Sequence, residues 1–479
     1  MTFFNLPCLV AMKLFVYNTL SREKEEFKPI DEKNVRMYSC WPTVYSMPHL
    51  WNMRSMFTAW LIRDVLKYIL KYNVTAVSNF TDVWHMVWDS DSWEDKMEKW
   101  AKKEWLNARE LAEKYEKIFI DYFDGMHIPL FDIMPKATEH IQEQIEMVQQ
   151  LVDKWFTYTI EWDGIYMDTS LIEDYWKLLW KNYKDHLKWL NAWERVDFWW
   201  KRNTTDFALW KFSPKNQKRQ MEWDSPWGIW FPGWHIECSA MSRKYLWKHF
   251  DIHHWWMDLI PIHHTNEIAQ SECCDWEKPW VNYWIHHQFV NMYGKKMSKS
   301  DGNYISPEEL LEKWYTLLDI KYRFFSTHYR NFLDFTRENI NAAKSARAGL
   351  RKILSQYELK YDYNNVIKSP LYTEFCEALC DDFNTSKVLS ILFKAVKELD
   401  DEKLEVISYL EENVLRFWLF EGEEKISTEI PEEITQLANQ RLQAKQEKNY
   451  ALADELRAKI QAEWFSIKDI PWGFEIEKI

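Results

Sequence analysis

Glycine is the residue that this sequence lacks most. The chain has 9 glycines among 479 residues, whereas an average content of about 7% would supply roughly 34. Tryptophan shows the opposite bias, with 31 residues. It also occupies stretches where tight backbone is expected, including Cys40-Trp41-Pro42 and the pairs Trp199-Trp200 and Trp255-Trp256. Glycine serves such turns through its freedom at positive φ, so tryptophan stands where glycine is expected.

We therefore hypothesise that many of these tryptophans are glycines, encoded by UGA in a genetic code that reads UGA as glycine. The hypothesis predicts UGA codons at Trp41, Trp51, Trp84 and Trp256, and UGG at Trp234. UGG at the first four positions would contradict it. The alternative is a natural chain that is rich in tryptophan.

Long apolar runs and an excess of positive charge are also absent. No uninterrupted apolar stretch approaches the roughly 18 residues that a membrane span needs. The net charge of −13 argues against a protein that coats nucleic acid non-specifically, because such binding needs a positive field, although a local basic patch stays possible. The first residues lack a basic segment and are interrupted by Lys13, so we expect no signal peptide, and Met12 is an alternative start.

A disulfide framework is not expected either. A chain of this length without a secretion signal uses its cysteines as reduced thiols or metal ligands. This cysteine usage predicts a cytoplasmic location. The seven cysteines are Cys8, Cys40, Cys238, Cys273, Cys274, Cys376 and Cys380.

Strand and helix signals alternate over residues 13–122. Strands are predicted at 14–17, 35–40 and 74–80, and helices at 52–72 and 93–115, which favours a parallel sheet with crossover helices. Residues 123–202 are interpreted as an insertion that holds a helix at 141–155 and a hairpin around Asp163-Gly164. Strand signals return over 203–305.

Only helices are predicted after Ile305, including a single helix over 433–464. We divide this part into a helical region, 306–426, and a separate module, 427–479. The predicted fold class is α/β: a Rossmann-like parallel-sheet domain with an insertion, followed by an all-α C-terminal region.

Polar side chains follow the predicted strands of the sheet. Cys40, His49, Thr81 and Asp82 all lie just after a strand, where open α/β sheets bind their ligands. His49 also precedes the helix over 52–72, and helix N-termini favour phosphate. A cysteine beside a proline-rich loop is, however, more often a packing residue.

A metal site is one reading of four scattered residues, Cys40, Cys238, His263 and Glu267. His263 and Glu267 are four residues apart, so on a helix both would face the same way. Two thiolates, an imidazole and a carboxylate suit tetrahedral Zn²⁺. Helix capping and core packing are the alternatives.

A lysine-rich loop lies between Gly294 and Gly302. Lys295, Lys296 and Lys299 place three ammonium groups on it, and a mobile loop of this kind could neutralise a triphosphate as pyrophosphate leaves. A solvated basic loop is the alternative.

Six motifs carry a resemblance to a known family. His49-Leu50-Trp51-Asn52 and Lys296-Met297-Ser298-Lys299-Ser300 resemble the two signatures of class I aminoacyl-tRNA synthetases, His-Ile-Gly-His/Asn and Lys-Met-Ser-Lys-Ser. From about Lys13 to the C-terminus the chain resembles cysteinyl-tRNA synthetases. The other four motifs, in the order of that family, are Cys40-Trp41-Pro42-Thr43-Val44-Tyr45, Asn79-Phe80-Thr81-Asp82-Val83, Gly233-Trp234-His235-Ile236-Glu237-Cys238-Ser239-Ala240-Met241 and His263-His264-Thr265-Asn266-Glu267-Ile268-Ala269-Gln270-Ser271.

The resemblance implies a role for each of these residues. It implies that a zinc ion, bound to Cys40, Cys238, His263 and Glu267, binds the thiol of L-cysteine, and that Thr81 and Trp234 line the amino-acid pocket. It implies catalytic roles for His49, Asn52, Lys296 and Lys299. The residues that it implies for binding ATP, supplied with Mg²⁺, are these four together with Asp258, Met297 and Ser298.

The resemblance also implies partners and roles for the regions. The expected partners are tRNA(Cys), L-cysteine and ATP, with no membrane, and the expected state is a monomer. Residues 13–122 and 203–305 would be the two halves of the catalytic domain, and 123–202 a connective insertion. Residues 306–426 would contact the tRNA stem, and 427–479 would recognise the anticodon.

The departures from the family share one form. Trp41, Trp51, Trp84, Trp255 and Trp256 stand where the family, or a branch of it, has glycine. Taken literally, the indole of Trp51 would block ATP, and the glycine hypothesis removes all five departures together. It does not explain His254, which also replaces a glycine. Two alternative functions stay open: a paralogue that joins cysteine to a small amine, and a non-catalytic RNA-binding or scaffold protein.

Overall fold

The computed structural model of the chain describes most of its length. The described ranges are 12–41, 46–83, 106–179, 200–213, 221–297, 303–422, 432–447, 449–462, 465–470 and 473–478. The chain forms two compact units. The first consists of Met1–Glu308 and Tyr315–Phe420, and the second of Glu309–Trp314 and Glu421–Ile479.

Strands and helices are numbered separately in chain order. The strands are β1 Phe15–Asn18, β2 Glu23–Glu26, β3 Asn34–Ser39, β4 Asn73–Ser78, β5 Thr157–Ile160, β6 Gly164–Met167, β7 Phe207–Phe212, β8 Trp223–Ser225, β9 Gly228–Pro232, β10 Phe250–Trp256, β11 Val281–His287, β12 Val290–Met292, β13 Lys295–Lys296, β14 Leu333–Asp334, β15 Phe465–Ile470 and β16 Gly473–Lys478. The α-helices are α1 Leu50–Asp64, α2 Ala108–Gly125, α3 Ile141–Asp153, α4 Trp234–Leu246, α5 Thr265–Asp275, α6 Pro307–Glu312, α7 Leu317–Phe325, α8 Arg337–Leu354, α9 Tyr363–Val366, α10 Pro370–Cys380, α11 Thr385–Lys397, α12 Asp401–Leu410, α13 Glu432–Gln446 and α14 Tyr450–Ala462.

A parallel sheet forms the centre of the first unit. Its strand order is β11-β10-β3-β4, and every neighbouring pair is parallel. Val35, Met37 and Ile252 are fully buried, as expected for a sheet covered on both faces. The predicted Rossmann-like α/β fold is confirmed. Sequence reasoning missed β11, because its polar residues, such as His286 and His287, hide the apolar pattern of a buried strand.

Helix α1 packs its apolar residues into this core. Met56 and Trp60 are fully buried, and the helix continues into a π-helical turn at Val65–Ile69, which confirms the helix predicted over 52–72. A continuous helix over 93–115 is wrong, since Asn107 has extended backbone and its side chain caps α2 by accepting the Glu110 N–H. Residues 93–105 lie outside the described ranges.

A second sheet is antiparallel, with the order β5-β6-β7-β9-β8. The predicted hairpin is confirmed, because β5 pairs with β6 on either side of Asp163. Its partner β7 comes from beyond residue 202, so strands from both sides of that position share one sheet. Helix α4 follows β9 directly.

The C-terminal region is helical, as predicted, with two differences. Residues 433–464 do not form one helix, because Asn449 accepts the Leu452 N–H and starts α14 anew. The chain then ends in an antiparallel hairpin, β15–β16, that was not predicted. Phe465 and Ile467 of this hairpin pack against Ile434 and Ile460, which shows that the strands complete the core of the second unit. None of the described helices is long and apolar enough to cross a membrane.

Tryptophan occurs repeatedly where the backbone is left-handed. Among the described residues, twelve non-glycine residues have positive φ, and five of these are tryptophans. Three follow the ends of helices α3, α4 and α5, the position where glycine is the usual residue. The five are Trp155, Trp247, Trp276, Trp314 and Trp418.

Replacing Trp155 by glycine is expected to raise the free energy of unfolding by about 1 kcal/mol, because a side chain in left-handed backbone costs about 1–2 kcal/mol. The indole of Trp155 is 84% exposed, so little packing is lost. The control, Trp284→Gly, removes a fully buried ring and should lower the free energy of unfolding by about 3–5 kcal/mol. Chemical denaturation of both variants measures the difference. Destabilisation by Trp155→Gly would contradict the expectation.

Candidate functional site

Four buried side chains meet at the carboxyl end of the parallel sheet. Cys40 follows β3, Cys238 lies in α4, His263 lies in the π-helical turn Ile260–His264, and Glu267 is in the first turn of α5. One donor atom from each lies within 4.8 Å of the other three. We call these four residues the donor cluster. They could hold a metal ion.

The distances within the donor cluster are nearly uniform around Cys40. Its Sγ lies 3.7 Å from the Cys238 Sγ, 3.7 Å from the His263 Nε2 and 3.7 Å from a Glu267 oxygen. The Glu267 carboxylate also accepts a hydrogen bond from the His263 Nε2 at 2.5 Å. The structure therefore brings together the four residues that the sequence suggested as ligands.

A glycine allows α4 to carry Cys238 this close to the sheet. Gly233 precedes α4, and its N–H donates to the Leu209 carbonyl at 2.9 Å. A Cβ at this position would lie 2.1 Å from the Ala208 carbonyl oxygen. Only glycine fits this close approach of α4 to β7.

Burial and mutual charge set the ionisation of the cluster. Burial raises the pKa of the Cys40 thiol well above its ordinary value. Burial also opposes ionisation of Cys238, but its hydrogen bond with Cys40 and the nearby His263 lower the pKa of that thiol. The Glu267 carboxylate overcomes the effect of burial on His263 and raises the pKa of its imidazole to about 10. The Cys238 thiol therefore ionises more readily than the Cys40 thiol, and the thiolate is the form that binds metal.

Sequence reasoning missed the histidines that surround the cluster. The His253 Nε2 donates to Glu267 at 2.8 Å, the His235 Nδ1 lies 3.0 Å from the His263 Nδ1, and the His264 Nε2 lies 3.8 Å from Cys40. Such partners orient metal ligands. Cys40, His253, His264 and Glu267 form an overlapping second group of possible donors. The adjacent pairs His253-His254 in β10 and His263-His264 in the π-helical turn were the available signal.

Thr81 and Trp234 lie beside the donor cluster. The side-chain amide of Asn79 donates from its nitrogen to the Thr81 hydroxyl at 3.0 Å. The oxygen of the same amide lies 3.8 Å from the Cys238 Sγ. The half-buried indole of Trp234 has its ring centre 4.6 Å from that of His263. The predicted amino-acid pocket residues thus border the donors.

The predicted phosphate-binding residues lie at the N-terminus of α1. His49 precedes the helix in extended backbone, and its N–H donates to the Asn52 side-chain oxygen at 3.0 Å. Its Nδ1 lies 2.7 Å from the Tyr304 hydroxyl. A half-buried imidazole thus stands at the positive end of a helix dipole, which favours anions.

Lys296 lies on strand β13, which pairs with β12. Its ammonium forms an ion pair of 2.7 Å with Asp258 and lies 4.5 Å from the ring centre of Phe289. Burial raises the pKa of Asp258, although Lys296 acts in the opposite direction. Met297 is buried. Ser298 and Lys299, also predicted to bind ATP, lie outside the described residues.

Several of the tryptophans at predicted glycine positions lie in or near the site, and Trp51 lies beside His49. The Trp51 ring centre lies 4.5 Å from that of His49, and 6.3 Å from the parallel ring of Trp256. Trp41 is buried against Phe80, and its indole N–H has no hydrogen-bond partner among the described residues. Trp255 is also buried. Trp84, the fifth predicted glycine position, lies outside the described residues.

The buried imidazole of His254 stands at the sixth departure from the family. Its Nδ1 lies 3.2 Å from the Ser39 hydroxyl. Burial, reinforced by His253, lowers the pKa of His254 to about 3. Nothing in the structure explains the replacement of glycine at this position.

Two family models and several relatives match the chain. The family described as "tRNA synthetases class I (C) catalytic domain" matches residues 26–345, and the "DALR domain" family matches residues 374–417. A cysteine–tRNA ligase from Treponema denticola is 37% identical and covers 96% of this chain and 98% of its own length. A cysteine–tRNA ligase from Finegoldia magna is 38% identical, with the same coverage.

A solved structure shares the fold at low identity. Methionyl-tRNA synthetase from Mycobacterium tuberculosis, bound by methionyl-adenylate, has a TM-score of 0.53 and covers 80% of this chain and 89% of its own. Its 12% sequence identity limits the likeness to the fold. The catalytic-domain match over more than half of the chain, together with relatives that span nearly all of it, shows that the chain belongs to the cysteine–tRNA ligase family of class I aminoacyl-tRNA synthetases.

Proposed function

We propose that the chain activates L-cysteine with ATP and transfers the cysteinyl group to the 3′-terminal adenosine of tRNA(Cys). The observation that carries this proposal is the donor cluster, which a parallel sheet, a π-helical turn and two helices assemble beside the pocket residue Trp234. Side chains of this kind select a thiol by metal affinity, where shape alone would discriminate poorly between cysteine and serine.

The residues present fit a zinc ion. Zinc bonds to sulfur at about 2.3 Å and to nitrogen at about 2.0–2.1 Å, so the donors of a tetrahedral site lie about 3.3–3.8 Å apart. The three 3.7 Å distances from the Cys40 Sγ satisfy this spacing. The His263 Nε2 and a Glu267 oxygen, 2.5 Å apart, form a hydrogen bond that both groups would exchange for bonds to the ion. Cys40, Cys238, His263 and Glu267 would hold the ion, which would supply affinity for the substrate thiolate. His253 would orient Glu267 through their 2.8 Å hydrogen bond.

Adenylate formation needs no general base, because the cysteine carboxylate is already the nucleophile. Its oxygen attacks the α-phosphorus of ATP, and the bond from that phosphorus to the bridging oxygen of pyrophosphate breaks. His49 and Asn52 would bind phosphate at the N-terminus of α1, where the peptide dipoles favour the developing charge. Positioning and charge stabilisation carry the step.

The lysine-rich loop would stabilise the leaving pyrophosphate. Lys296 and Lys299 would supply positive charge, with Met297 and Ser298 beside them, while Mg²⁺ accompanies ATP. Asp258 would lie near the nucleotide, and its ion pair with Lys296 would hold that ammonium beside the site until the phosphates arrive. A ribose hydroxyl of the tRNA then attacks the cysteinyl carbonyl carbon and releases AMP.

The remaining regions are proposed to bind tRNA. Residues 13–122 and 203–305 would form the catalytic domain with its connective insertion, 123–202, and residues 306–426 would contact the stem of tRNA(Cys). Residues 427–479 would recognise the anticodon. We propose a monomer that acts in the cytoplasm, where thiols stay reduced and able to bind metal.

Cysteine-dependent ATP–pyrophosphate exchange, followed by charging of tRNA(Cys), tests the proposal. Both activities are expected. Exchange without charging would favour ligation of cysteine to a small amine, and the absence of both, in chains with glycine and with tryptophan at the suspect positions, would favour a non-catalytic RNA-binding protein.

Lys296→Ala is expected to lower the kcat of pyrophosphate exchange by about 10²–10³, because it removes charge stabilisation of the leaving group. The KM for cysteine should stay unchanged, since the donor cluster is intact. Lys278→Ala is the matched control, because Lys278 forms an ion pair of the same 2.7 Å length with Asp174. An equal loss in both variants would contradict the assigned role.

A further inference from the structure

We infer that the chain made in its natural source carries glycine at five positions written as tryptophan: Trp155, Trp247, Trp276, Trp314 and Trp418. All five have φ between 56° and 70°, with values of 63°, 70°, 56°, 69° and 61°. This inference is independent of the catalytic proposal, since it concerns the residues of the scaffold.

The backbone conformation at these positions is one that glycine adopts more readily than any other residue. Trp247 combines a φ of 70° with a ψ of −168°, a region that only glycine normally occupies. Trp276 has a φ of 56° and a ψ of 28°, and its N–H closes the end of α5 by donating to the Glu272 carbonyl at 2.9 Å. This is the glycine position of a helix C-terminus.

Three of the five indoles are mainly exposed to solvent. Trp155, Trp247 and Trp276 are 84%, 71% and 69% exposed. By contrast, Trp60 and Trp284 are fully buried in the core, and neither has positive φ. Two populations of tryptophan therefore exist in one chain.

A mixture of two codons explains both populations. UGG would encode core rings such as Trp60 and Trp284. UGA, read as glycine, would encode the five left-handed positions as well as Trp41, Trp51, Trp84, Trp255 and Trp256. The same reading accounts for the 9 glycines and 31 tryptophans of the whole chain. It also removes the indole of Trp51 from beside His49, where ATP phosphate is proposed to bind.

Peptide mass spectrometry of the chain purified from its natural source tests this inference. Glycine is expected at positions 155, 247 and 276, and tryptophan at positions 60 and 284, with UGA and UGG codons respectively. Tryptophan at positions 155, 247 and 276 would overturn the inference.

A second inference comes from an independent feature, the buried guanidinium of Arg54 on α1. Arg54 is 1% exposed. Among the described residues, the partners of its Nη1 and Nη2 are all backbone carbonyls, and burial lowers the pKa of Arg54 to about 9. A cation in the interior is costly unless it is fully hydrogen-bonded. The five accepting carbonyls belong to Gln288, Phe289, His328, Tyr329 and Asn331, at 3.0, 2.9, 3.3, 3.3 and 2.8 Å.

These carbonyls lie at the beginning of two strands. Gln288 and Phe289 precede β12, and Asn331 precedes β14, which pairs in parallel with β12. Strand β12 continues through a turn into β13, which carries Lys296. Arg54 therefore ties α1, whose N-terminus holds His49, to the base of the hairpin that holds Lys296.

We propose that Arg54 is a positioning residue that sets the distance between the phosphate site at His49 and the Lys296 ammonium. This proposal depends on the proposed function of both residues. Lysine at position 54 could reach at most part of the five carbonyls, because it has one nitrogen in place of the planar fork. The hairpin base would then lose its fixed register against α1.

The test compares Arg54→Lys with Arg63→Lys. Arg63 is the control, because it is a buried arginine on the same helix. It donates to the Pro129 and Leu130 carbonyls at 3.2 and 2.8 Å and also pairs with Asp64 at 2.9 Å. Both variants are made in the chain with the residues that peptide analysis finds at the tryptophan positions. Pyrophosphate exchange, zinc content and thermal midpoint are measured for each.

Arg54→Lys is expected to lower the kcat of exchange at least about tenfold through misplacement of the reacting groups. Its KM for cysteine and its zinc content should stay unchanged, and Arg63→Lys should retain the parental kcat. Equal kcat in the two variants, or a loss of kcat by Arg54→Lys that parallels its zinc content, would overturn the positioning role. Failure of the parental chain to catalyse exchange would instead overturn the proposed function.

Discussion

Serine in place of Cys238 is expected to lower cysteine-dependent pyrophosphate exchange by more than about 100-fold and to reduce the zinc content of the purified chain. Loss of a partner that merely orients a ligand costs about 10–100-fold in metal affinity or activity, so loss of a ligand should cost more. Cys238 is also the thiol of the cluster whose pKa is lowered, and serine supplies no thiolate. Metal analysis and exchange kinetics on one preparation measure both effects.

The control for this experiment is Cys273→Ser. Cys273 is buried in α5, the helix of Glu267, but it is not among the possible metal donors. We expect this variant to keep its zinc and its activity. Full zinc content and full exchange in Cys238→Ser would contradict the assignment of the donor cluster, whatever the activity of the control.

Glycine in place of Trp51 is expected to raise kcat/KM for ATP by about 100-fold or more over the chain with tryptophan. The ring of Trp51 lies against His49 at 4.5 Å, and misplacement of reacting groups by about 1 Å can already cost 100-fold. The double variant with Trp256→Gly should gain further, because the two parallel rings lie only 6.3 Å apart. Exchange measured over a range of ATP concentrations determines the gain.

Trp51→Phe distinguishes bulk from other effects at this position. Phenylalanine keeps a ring beside His49 and should not restore exchange. A gain with phenylalanine equal to that with glycine would contradict a steric block, and so would full activity in the chain with tryptophan.

The parallel sheet and its first helix could be predicted because their patterns are local. Val35 and Val74 lie in buried strands of apolar character, and Met56 and Trp60 repeat at helical spacing. Strand β11 could not be predicted, because His286 and His287 are buried through hydrogen bonds that depend on distant partners, including Thr19 and Ser55. The tertiary hydrogen bonds of these histidines allow their burial, and the sequence pattern does not show those bonds.

The donor cluster could be named from the sequence, but spacing alone did not identify it. Cys40 and Cys238 lie 198 residues apart, and no local rule brings them together. The four residues were grouped by the resemblance of the motifs around them to those of a known family. His253 and His235 went unassigned, because an orienting residue is recognised only by the atom that it contacts.

The contact of Gly233 with β7 links the helix that carries Cys238 to the antiparallel sheet. Helix α4 is joined to the antiparallel sheet by the hydrogen bond from Gly233 to Leu209, and β7 is paired in turn with the hairpin strand β6. A displacement of that hairpin would therefore be transmitted along the sheet to Cys238. The antiparallel sheet therefore supports the helix that carries Cys238, and a shortened chain without β5 and β6 would lose part of that support.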